Sequence, residues 1–261
     1  MVLNCLFNGL GKPELCKPTN AAYIAMHGQS GTGGRIGASA IPPDYAGMLL
    51  ADVELDTQGA DAKVFIEAYL GSFEKMFKDY QEECRAAGQS EDKIRIKSLY
   101  LWSESPGTGK TTVAAALAQE FLLRNFLGNI RRGVTPPLRP VYFLDVNAFQ
   151  GEYNTFNRPR VPESVAEPAA ARYYAAMDKA KAAPFAVLDD MGVRTSTDGF
   201  RGDLHEIINH RVSNKLPTIY TSNIPIEQLD DVYGEKRLSD RIRHMTKEIH
   251  FEGTSKRGMR K

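Results

Sequence analysis

SESPGTGKTT, residues 103–112, separates a strand-like run, KIRIKSLYLWS, from a helix-like run that continues VAAALAQEF. Gly107 and Gly109 let the chain turn tightly, Lys110 adds a positive charge and Thr111 adds a hydroxyl group. Between a strand and a helix, the backbone N–H groups of such a loop converge on phosphate oxygens. The stretch therefore predicts a loop that binds the phosphates of a nucleotide, with Mg²⁺ at the threonine hydroxyl.

The loop departs from the usual pattern G-x-x-x-x-G-K-[ST] at one position, because Glu104 stands where the first glycine is expected. Glu104 lies at the exit of the strand, before the tight turn, so we expect its side chain to point away from the loop. A glycine-rich turn with a chance lysine is the alternative interpretation. The order of strand, loop and helix favours nucleotide binding.

The rest of the chain alternates between strand-like and helix-like segments. Strand-like runs lie at 141–146, 185–189, 217–223 and 247–252, and helix-like runs at 163–182, 201–214 and 225–246. The helix that follows the glycine-rich loop is expected to stop at Gly128. Together with the strand before the loop, this alternation predicts an α/β fold built on a doubly wound, parallel, five-stranded sheet.

The two ends of the chain are expected to differ from this core. Residues 1–60 are rich in Gly, Ser and Pro, which predicts a small irregular region that binds a partner. Residues 61–261 form the predicted nucleotide-binding domain, beginning with an amphipathic helix that is capped by Asp61 and ends near Gly88. Only residues 253–261 follow the last strand, which predicts little or no helical lid.

Composition excludes several classes of protein. The formal net charge is +1, so any affinity for nucleic acid must come from a local patch. Three cysteines in 261 residues do not indicate a disulfide framework. The sequence has no apolar run near the ~18 residues of a membrane span. We therefore expect a soluble, cytoplasmic protein.

Two further strand ends carry polar groups suited to nucleotide chemistry. The run PFAVLDDMG ends a buried strand with Asp189 and Asp190. One carboxylate can hold Mg²⁺ through water while the next polarises the attacking water. The run PTIYTSN ends in Asn223, whose amide could orient that water against the γ-phosphate. Asparagine before Ile-Pro is also an ordinary turn residue, and both interpretations remain open.

The order of these motifs resembles the AAA+ ATPases, specifically the DnaC/DnaI-type helicase loaders and their IstB-type relatives in transposition. The resemblance covers about residues 62–261. It rests on SPGTGKTT as Walker A, FAVLDDMG as Walker B, PTIYTSN as sensor 1 and GEKRLSDRI as the arginine-finger segment.

The resemblance implies a role for each matching residue. The implied phosphate loop comprises Ser105, Pro106, Gly107, Thr108, Gly109, Lys110, Thr111 and Thr112. Thr111 and Asp189 are implied to hold Mg²⁺. Asp190 is implied to polarise the attacking water, and Asn223 to contact the γ-phosphate. Arg237 is implied to be the arginine finger, with Arg241 as the competing candidate.

This sequence departs from the family in two places. Most AAA+ proteins have Glu where this chain has Asp190, and the shorter side chain suggests slow, switch-like hydrolysis. Arg257 or Arg260 could supply a sensor-2-like arm, although a basic tail explains those residues equally well.

The resemblance also implies a function. It is that of an ATP-dependent loader of a replicative, hexameric DnaB-type helicase, which assembles into a ring or spiral and binds single-stranded DNA. The alternatives are an IstB-type ATPase that binds duplex DNA and recruits a transposase, and a nucleotide-dependent regulator that binds no DNA. The implied setting is the cytoplasm of a bacterium, with either a host or a phage gene.

A basic stretch could contact single-stranded DNA. Residues 124–160 carry a net charge of +4, with Tyr153 and Phe156 among the charges. The arginines are Arg124, Arg131, Arg132, Arg139, Arg158 and Arg160. Cations that neutralise phosphates and rings that stack on bases are typical of such grooves. A solvated loop surface is the alternative.

Cys5, Cys16 and His27 could be three ligands of a zinc ion. Their spacing is loose and no fourth ligand lies nearby in the sequence. A zinc site is therefore possible here but is not favoured.

Overall fold

The computed structural model describes residues 5–192, 196–233, 236–253 and 255. The chain packs as two compact units. The first comprises the residues up to Lys97 together with Thr112–Val141, and the second comprises Ser98–Thr111 together with the residues from Tyr142 onward. A domain boundary near residue 60 stays a prediction.

A single sheet organises the second unit. Its strands are β1 (Ser98–Trp102), β2 (Val141–Asp145), β3 (Phe185–Met191), β4 (Thr218–Ser222) and β5 (Thr246–His250). The strand order is β2-β3-β4-β1-β5, and the sheet is parallel throughout. The first four strands are almost continuously buried, as apolar strands covered on both faces should be. The predicted fold class is confirmed.

Helices precede, connect and follow these strands. The α-helices are α1 (Ala21–His27), α2 (Gly34–Ala38), α3 (Ala60–Gly71), α4 (Lys78–Ala86), α5 (Glu91–Ile94), α6 (Lys110–Arg131), α7 (Val146–Asn157), α8 (Glu163–Ala182), α9 (Asp198–Ser213), α10 (Leu229–Tyr233) and α11 (Lys236–Met245). Short 3₁₀ turns lie at Asn8–Leu10, Pro13–Cys16, Pro43–Tyr45, Leu50–Asp52, Leu55–Gln58, Ser72–Met76 and Ile226–Gln228. None of the helices in the described ranges is long and apolar enough to span a membrane.

Two helix predictions were wrong. Helix α6 does not stop at Gly128 but continues to Arg131. Gly128 is needed inside the helix because a Cβ there would lie 2.1 Å from Cζ of Phe77. The left-handed glycine that follows the helix is Gly133, with φ of 67°. The single helix predicted from Asp61 to near Gly88 is divided into α3 and α4 by the 3₁₀ turn between them.

The N-terminal region packs within the first unit through its backbone. Gln119 of α6 is fully buried; its Oε1 accepts from Gly47 N at 2.6 Å, and its Nε2 donates to the carbonyls of Tyr45 (2.7 Å) and Met48 (2.8 Å). The buried apolar side chains of the region are Cys5, Leu6, Phe7, Met26, Ile41, Leu49, Leu50 and Leu55. Buried polar groups need such partners, so this region is an ordered part of the first unit.

A buried arginine connects α8, α9 and the start of β4. Arg211 of α9 is fully buried, and its Nη1 donates to the carbonyls of Ala180 (2.7 Å) and Ala183 (2.8 Å). Its Nη2 donates to Pro217 O at 2.8 Å and its Nε to Thr218 Oγ1 at 2.8 Å. These bonds tie the C-terminal end of α8 to the start of β4, whose other end reaches the site described next.

Candidate nucleotide site

The glycine-rich loop connects β1 to α6 as the sequence predicts. Gly107 and Gly109 have φ of 78° and 94°, a region that glycine occupies without steric cost. The loop closes into the first turn of α6, which begins at Lys110. Glu104 is exposed, as expected for a side chain directed away from the loop. The N-terminus of a long helix and two left-handed glycines form a cradle suited to phosphate.

The Lys110 ammonium group lies over this loop. Its Nζ donates to Ser105 O at 3.2 Å, Ser103 O at 3.4 Å and Thr108 Oγ1 at 3.4 Å, and the residue is buried. These acceptors are neutral and the bonds are long. The oxygens of a phosphate group would therefore be stronger partners for the same ammonium group.

Asp189 is the buried carboxylate of the site. It accepts from Thr111 Oγ1 at 3.0 Å and from Thr221 Oγ1 at 2.6 Å. Burial raises the pKa of Asp189 to about 6, against the opposing effect of the two hydroxyl donors. The negative charges of Asp190 and Asp145 raise that pKa further.

A hydroxyl and a buried carboxylate fit Mg²⁺ bound together with nucleotide phosphates. Within the described residues no group of three or more His, Cys, Asp or Glu side chains could hold a metal ion by itself. Mg²⁺ rarely needs such a cage, because one or two protein oxygens and the phosphates of its nucleotide usually suffice. The Thr111–Asp189 pair is therefore consistent with the predicted cofactor.

Asp190 lies on a β-bulge. Leu188 pairs with Tyr220 and Met191 with Ser222, so two residues of β3 face one residue of β4. Asp190 has a left-handed backbone with φ of 63°. Bulges of this kind redirect side chains and are frequent next to functional sites.

The sequence did not predict that Asn147 and Thr221 contact Asp190. Asn147, in the first turn of α7, donates from Nδ2 to Asp190 Oδ2 at 3.1 Å. Asp145 caps α7 by accepting from Ala148 N at 2.9 Å, and so fixes the turn that carries Asn147. Thr221 accepts from Asp190 N at 2.9 Å. A polar residue two positions after β2 was the available signal for Asn147, whereas threonine inside a strand gives none.

Asn223 reaches the same edge of the sheet. It follows β4 directly and is half-buried. Trp102 at the end of β1 pairs with Ser222, and Ser103 N donates to Ser222 O at 3.3 Å. The ends of β1, β3 and β4 thus bring the loop, the two aspartates and Asn223 to one edge, where α/β sheets carry their sites. The role of Asn223 stays a prediction.

The structure describes only some of the arginines that the sequence predicts as finger or sensor residues. The backbone of Arg237 belongs to α11, but its side chain lies outside the described residues, as do Arg257 and Arg260. Arg241 lines a cavity of about 550 Å³ between α9 and α11, together with His205, Asn209, Val212, Asp240 and His244. The choice between Arg237 and Arg241 stays open.

The six arginines of the basic stretch fall into two groups, three with described partners and three at exposed positions. Arg124 pairs with Glu120, Arg132 pairs with Asp79, and Arg139 donates to Ala38 O at 3.1 Å. The other three, Arg131, Arg158 and Arg160, are exposed. The rings of Tyr153 and Phe156 are half-buried against Tyr173, with centroids 5.5 and 5.3 Å away. The DNA contact stays a prediction.

The zinc ligands considered above do not form a recognisable site in the described residues. Burial, and hydrogen bonding with Cys5, raise the pKa of the Cys16 thiol to about 12. His27 stacks on Tyr23 with ring centroids 4.4 Å apart, and burial lowers its pKa.

Comparison with known proteins finds replicative helicase loaders among the proteins similar to this chain. No protein-family model matches the sequence. The replicative helicase loader DnaI of Bacillus subtilis is 27% identical over 173 residues, which cover 62% of this chain and 48% of DnaI. The replicative helicase loader DnaC of Escherichia coli is 25% identical over 176 residues, covering 64% of this chain and 62% of DnaC. The chain therefore spans about half to three fifths of these relatives.

Solved structures share the fold. A crystal structure of DnaI covers 82% of this chain and 95% of its own, with a TM-score of 0.55 and 22% identity. The DnaC helicase loader covers 81% of this chain, with a TM-score of 0.52 and 18% identity. The replication initiator DnaA bound to AMPPCP and single-stranded DNA covers 82%, with a TM-score of 0.50 and 15% identity. The chain is thus similar in sequence to the DnaC/DnaI-type helicase loaders and shares the α/β fold of the solved DnaI and DnaC structures.

Proposed function

We propose that this chain is a Mg²⁺-dependent ATPase that loads a replicative hexameric helicase during DNA replication. The observation that carries the ATPase is the contact between Thr111 Oγ1 and Asp189, 3.0 Å apart at the foot of the phosphate loop. Loading is supported by the two relatives, which are named replicative helicase loaders. They also favour this function over that of an IstB-type transposition ATPase.

We assign each residue of the site a separate role in binding and hydrolysis of the nucleotide. The N–H groups of residues 105–112 would surround the phosphates, and Lys110 would exchange its carbonyl partners for phosphate oxygens. Thr111 and Asp189 would hold Mg²⁺, which neutralises charge on the phosphates when it is bound. Asn223 would orient the attacking water.

Asp190 would accept the proton of that water. Asn147 already binds Oδ2 of Asp190, so we assign the proton to Oδ1. The side chain of aspartate is one methylene shorter than that of glutamate, which is why we propose slow turnover. An Asp190→Asn variant should therefore bind ATP normally and hydrolyse it far more slowly, an effect on the order of 10²-fold or more.

The proposed partners are a DnaB-type helicase, single-stranded DNA and further copies of this chain in a ring or spiral. The N-terminal region, residues 1–60, is proposed to bind the helicase. Arg237 or Arg241 would act as arginine finger on the neighbouring copy. The exposed Arg158 and Arg160 lie where α7 ends and are proposed to contact DNA phosphates. A bacterial cytoplasm, of a host or an infected cell, is the proposed setting.

One set of binding measurements tests this function. The chain is mixed with the replicative helicase of the same cell, and capture is measured with ATP, with ADP and with Lys110→Ala. Single-stranded and duplex DNA are titrated in parallel. Helicase capture together with a preference for single strands supports the proposal. A preference for duplex DNA with no helicase capture would favour the transposition role, and binding of neither would favour a regulator.

A further inference from the structure

Thr221 occupies a special position in the sheet, because it is the single β4 residue opposite the two-residue bulge of β3. The regular pairing on either side joins Leu188 to Tyr220 and Met191 to Ser222. Asp189 and Asp190 form the bulge between those pairs. In a regular ladder the N–H of Asp190 would have a backbone acceptor on its neighbour strand. Here its partner is the Thr221 hydroxyl, 2.9 Å away.

The hydrogen atoms of this bridge can be assigned without ambiguity. A backbone N–H can only donate, so Thr221 Oγ1 must accept from Asp190. An ionised carboxylate can only accept, so the single proton of the same hydroxyl goes to Asp189 Oδ1 at 2.6 Å. Thr221 is 1% exposed, which leaves water little chance to replace it. One buried hydroxyl therefore links the backbone of one aspartate to the side chain of the other.

We propose that Thr221 is a positioning residue for nucleotide hydrolysis, which fixes the carboxylate assigned to Mg²⁺ relative to the carboxylate assigned to water. This inference rests on the proposed ATPase activity. Thr221 touches neither nucleotide nor water in this role; it acts through Asp189 and Asp190. A displacement of about 1 Å between two such groups is enough to lower a rate on the order of 10²-fold.

Two substitutions at this position separate the hydroxyl from the shape of the side chain. Thr221→Val keeps the branched shape and removes the hydroxyl, whereas Thr221→Ser keeps the hydroxyl and removes a methyl group. The next residue supplies a matched control. Ser222 Oγ is also buried and also joins β4 to β3, donating to Met191 O at 2.8 Å. Ser222→Ala thus removes a comparable hydroxyl bond between the same strands, together with the bond that Ser222 Oγ accepts from Ile224 N at 3.2 Å, and neither bond involves an aspartate.

The test combines steady-state ATPase kinetics with NMR amide exchange at Asp190. We expect Thr221→Val to lower kcat about 10- to 100-fold with KM for ATP within about threefold. Thr221→Ser should stay within about threefold of the wild type, and Ser222→Ala likewise. In the ligand-free protein, Thr221→Val should speed exchange of the Asp190 amide by about tenfold, because a buried hydrogen bond is lost.

The two readouts separate failure of this inference from failure of the ATPase proposal. Equal kcat in Thr221→Val and Ser222→Ala would overturn the positioning role. Without measurable hydrolysis in the wild type, the exchange data decide the structural part. Unchanged exchange in Thr221→Val would then overturn the bridge, whereas faster exchange would support the bridge and count against the proposed ATPase alone.

Discussion

Replacing Asp189 by asparagine should stabilise the ligand-free protein at neutral pH while it removes the response to Mg²⁺ and ATP. The reason is that folding buries this carboxylate and raises its pKa from 3.8 to about 6. At a pH well above 6 the native state therefore holds a charge that would be better solvated in the unfolded chain. Active-site groups of this kind commonly lower stability in exchange for function.

The magnitude follows from the two pKa values of Asp189. Raising the pKa from 3.8 to about 6 corresponds to about 3 kcal/mol of unfolding free energy lost at high pH. As pH falls through 6, the native state takes up a proton before the unfolded chain does, and this loss is recovered. It is fully recovered below 3.8, where both states are protonated. We thus expect Asp189→Asn to be more stable than wild type by roughly 1–3 kcal/mol at pH 7.5, allowing for weaker hydroxyl bonds to the amide.

Urea unfolding at pH 7.5 and pH 4.5, without nucleotide, measures this difference. The advantage of Asp189→Asn should be about 2 kcal/mol smaller at pH 4.5 than at pH 7.5, because about 1 kcal/mol of the loss remains until the pH falls below 3.8. Asp178→Asn, at an exposed position in α8, is the matched control for the change of charge. Adding Mg²⁺ and ATP at pH 7.5 should raise the unfolding midpoint of the wild type only. The reasoning fails if Asp189→Asn is less stable at pH 7.5, or if the difference does not change with pH.

Further predictions concern the loop, the buried arginine and the candidate finger. Lys110→Ala should abolish ATP binding, measured with a fluorescent analogue, while Glu104→Gly should change it little; equal losses would give the exposed Glu104 an unassigned role. Arg211→Met should lower the unfolding free energy by about 3–5 kcal/mol, because the buried carbonyls of Ala180 and Ala183 lose their Arg211 donor and that of Pro217 keeps only Ala186 N, and near-wild-type stability in urea would contradict this. Arg237→Ala should bind ATP but lose hydrolysis, and mixing it with Lys110→Ala should restore some activity at mixed interfaces. If the mixture assembles and stays inactive, Arg241 or no arginine at all has that role.

The sheet and the loop could be predicted because their sequence signals are local. Continuous apolar runs marked each buried strand, and the pair Lys110–Thr111 followed one of them directly. Because parallel strands end at a common edge, Asp189 and Asn223 could be expected near that loop from the sequence alone. The family resemblance then named their roles.

The parts that could not be predicted depend on tertiary contacts. Gly128 has the sequence signal of a helix end, but a ring of Phe77 occupies the space of its missing side chain. Thr221 has the composition of any strand residue, and only the register of β4 against β3 places it opposite the bulge. The left-handed backbone of Asp190 has no sequence signal either. The N-terminal region has the composition of a loop, yet buried contacts with Gln119 hold it in place.

The left-handed backbone of Asp190 has an evolutionary consequence. Aspartate and asparagine adopt this conformation more readily than residues with longer side chains, for which it costs roughly 1–2 kcal/mol. A mutation to glutamate, whose side chain is one methylene longer, would meet that cost before it could give any benefit. That cost lasts as long as the bulge does, and the Thr221 hydroxyl is the acceptor of the Asp190 N–H at the bulge. Lineages that descend from this chain should therefore keep aspartate at position 190 for as long as threonine faces it at position 221.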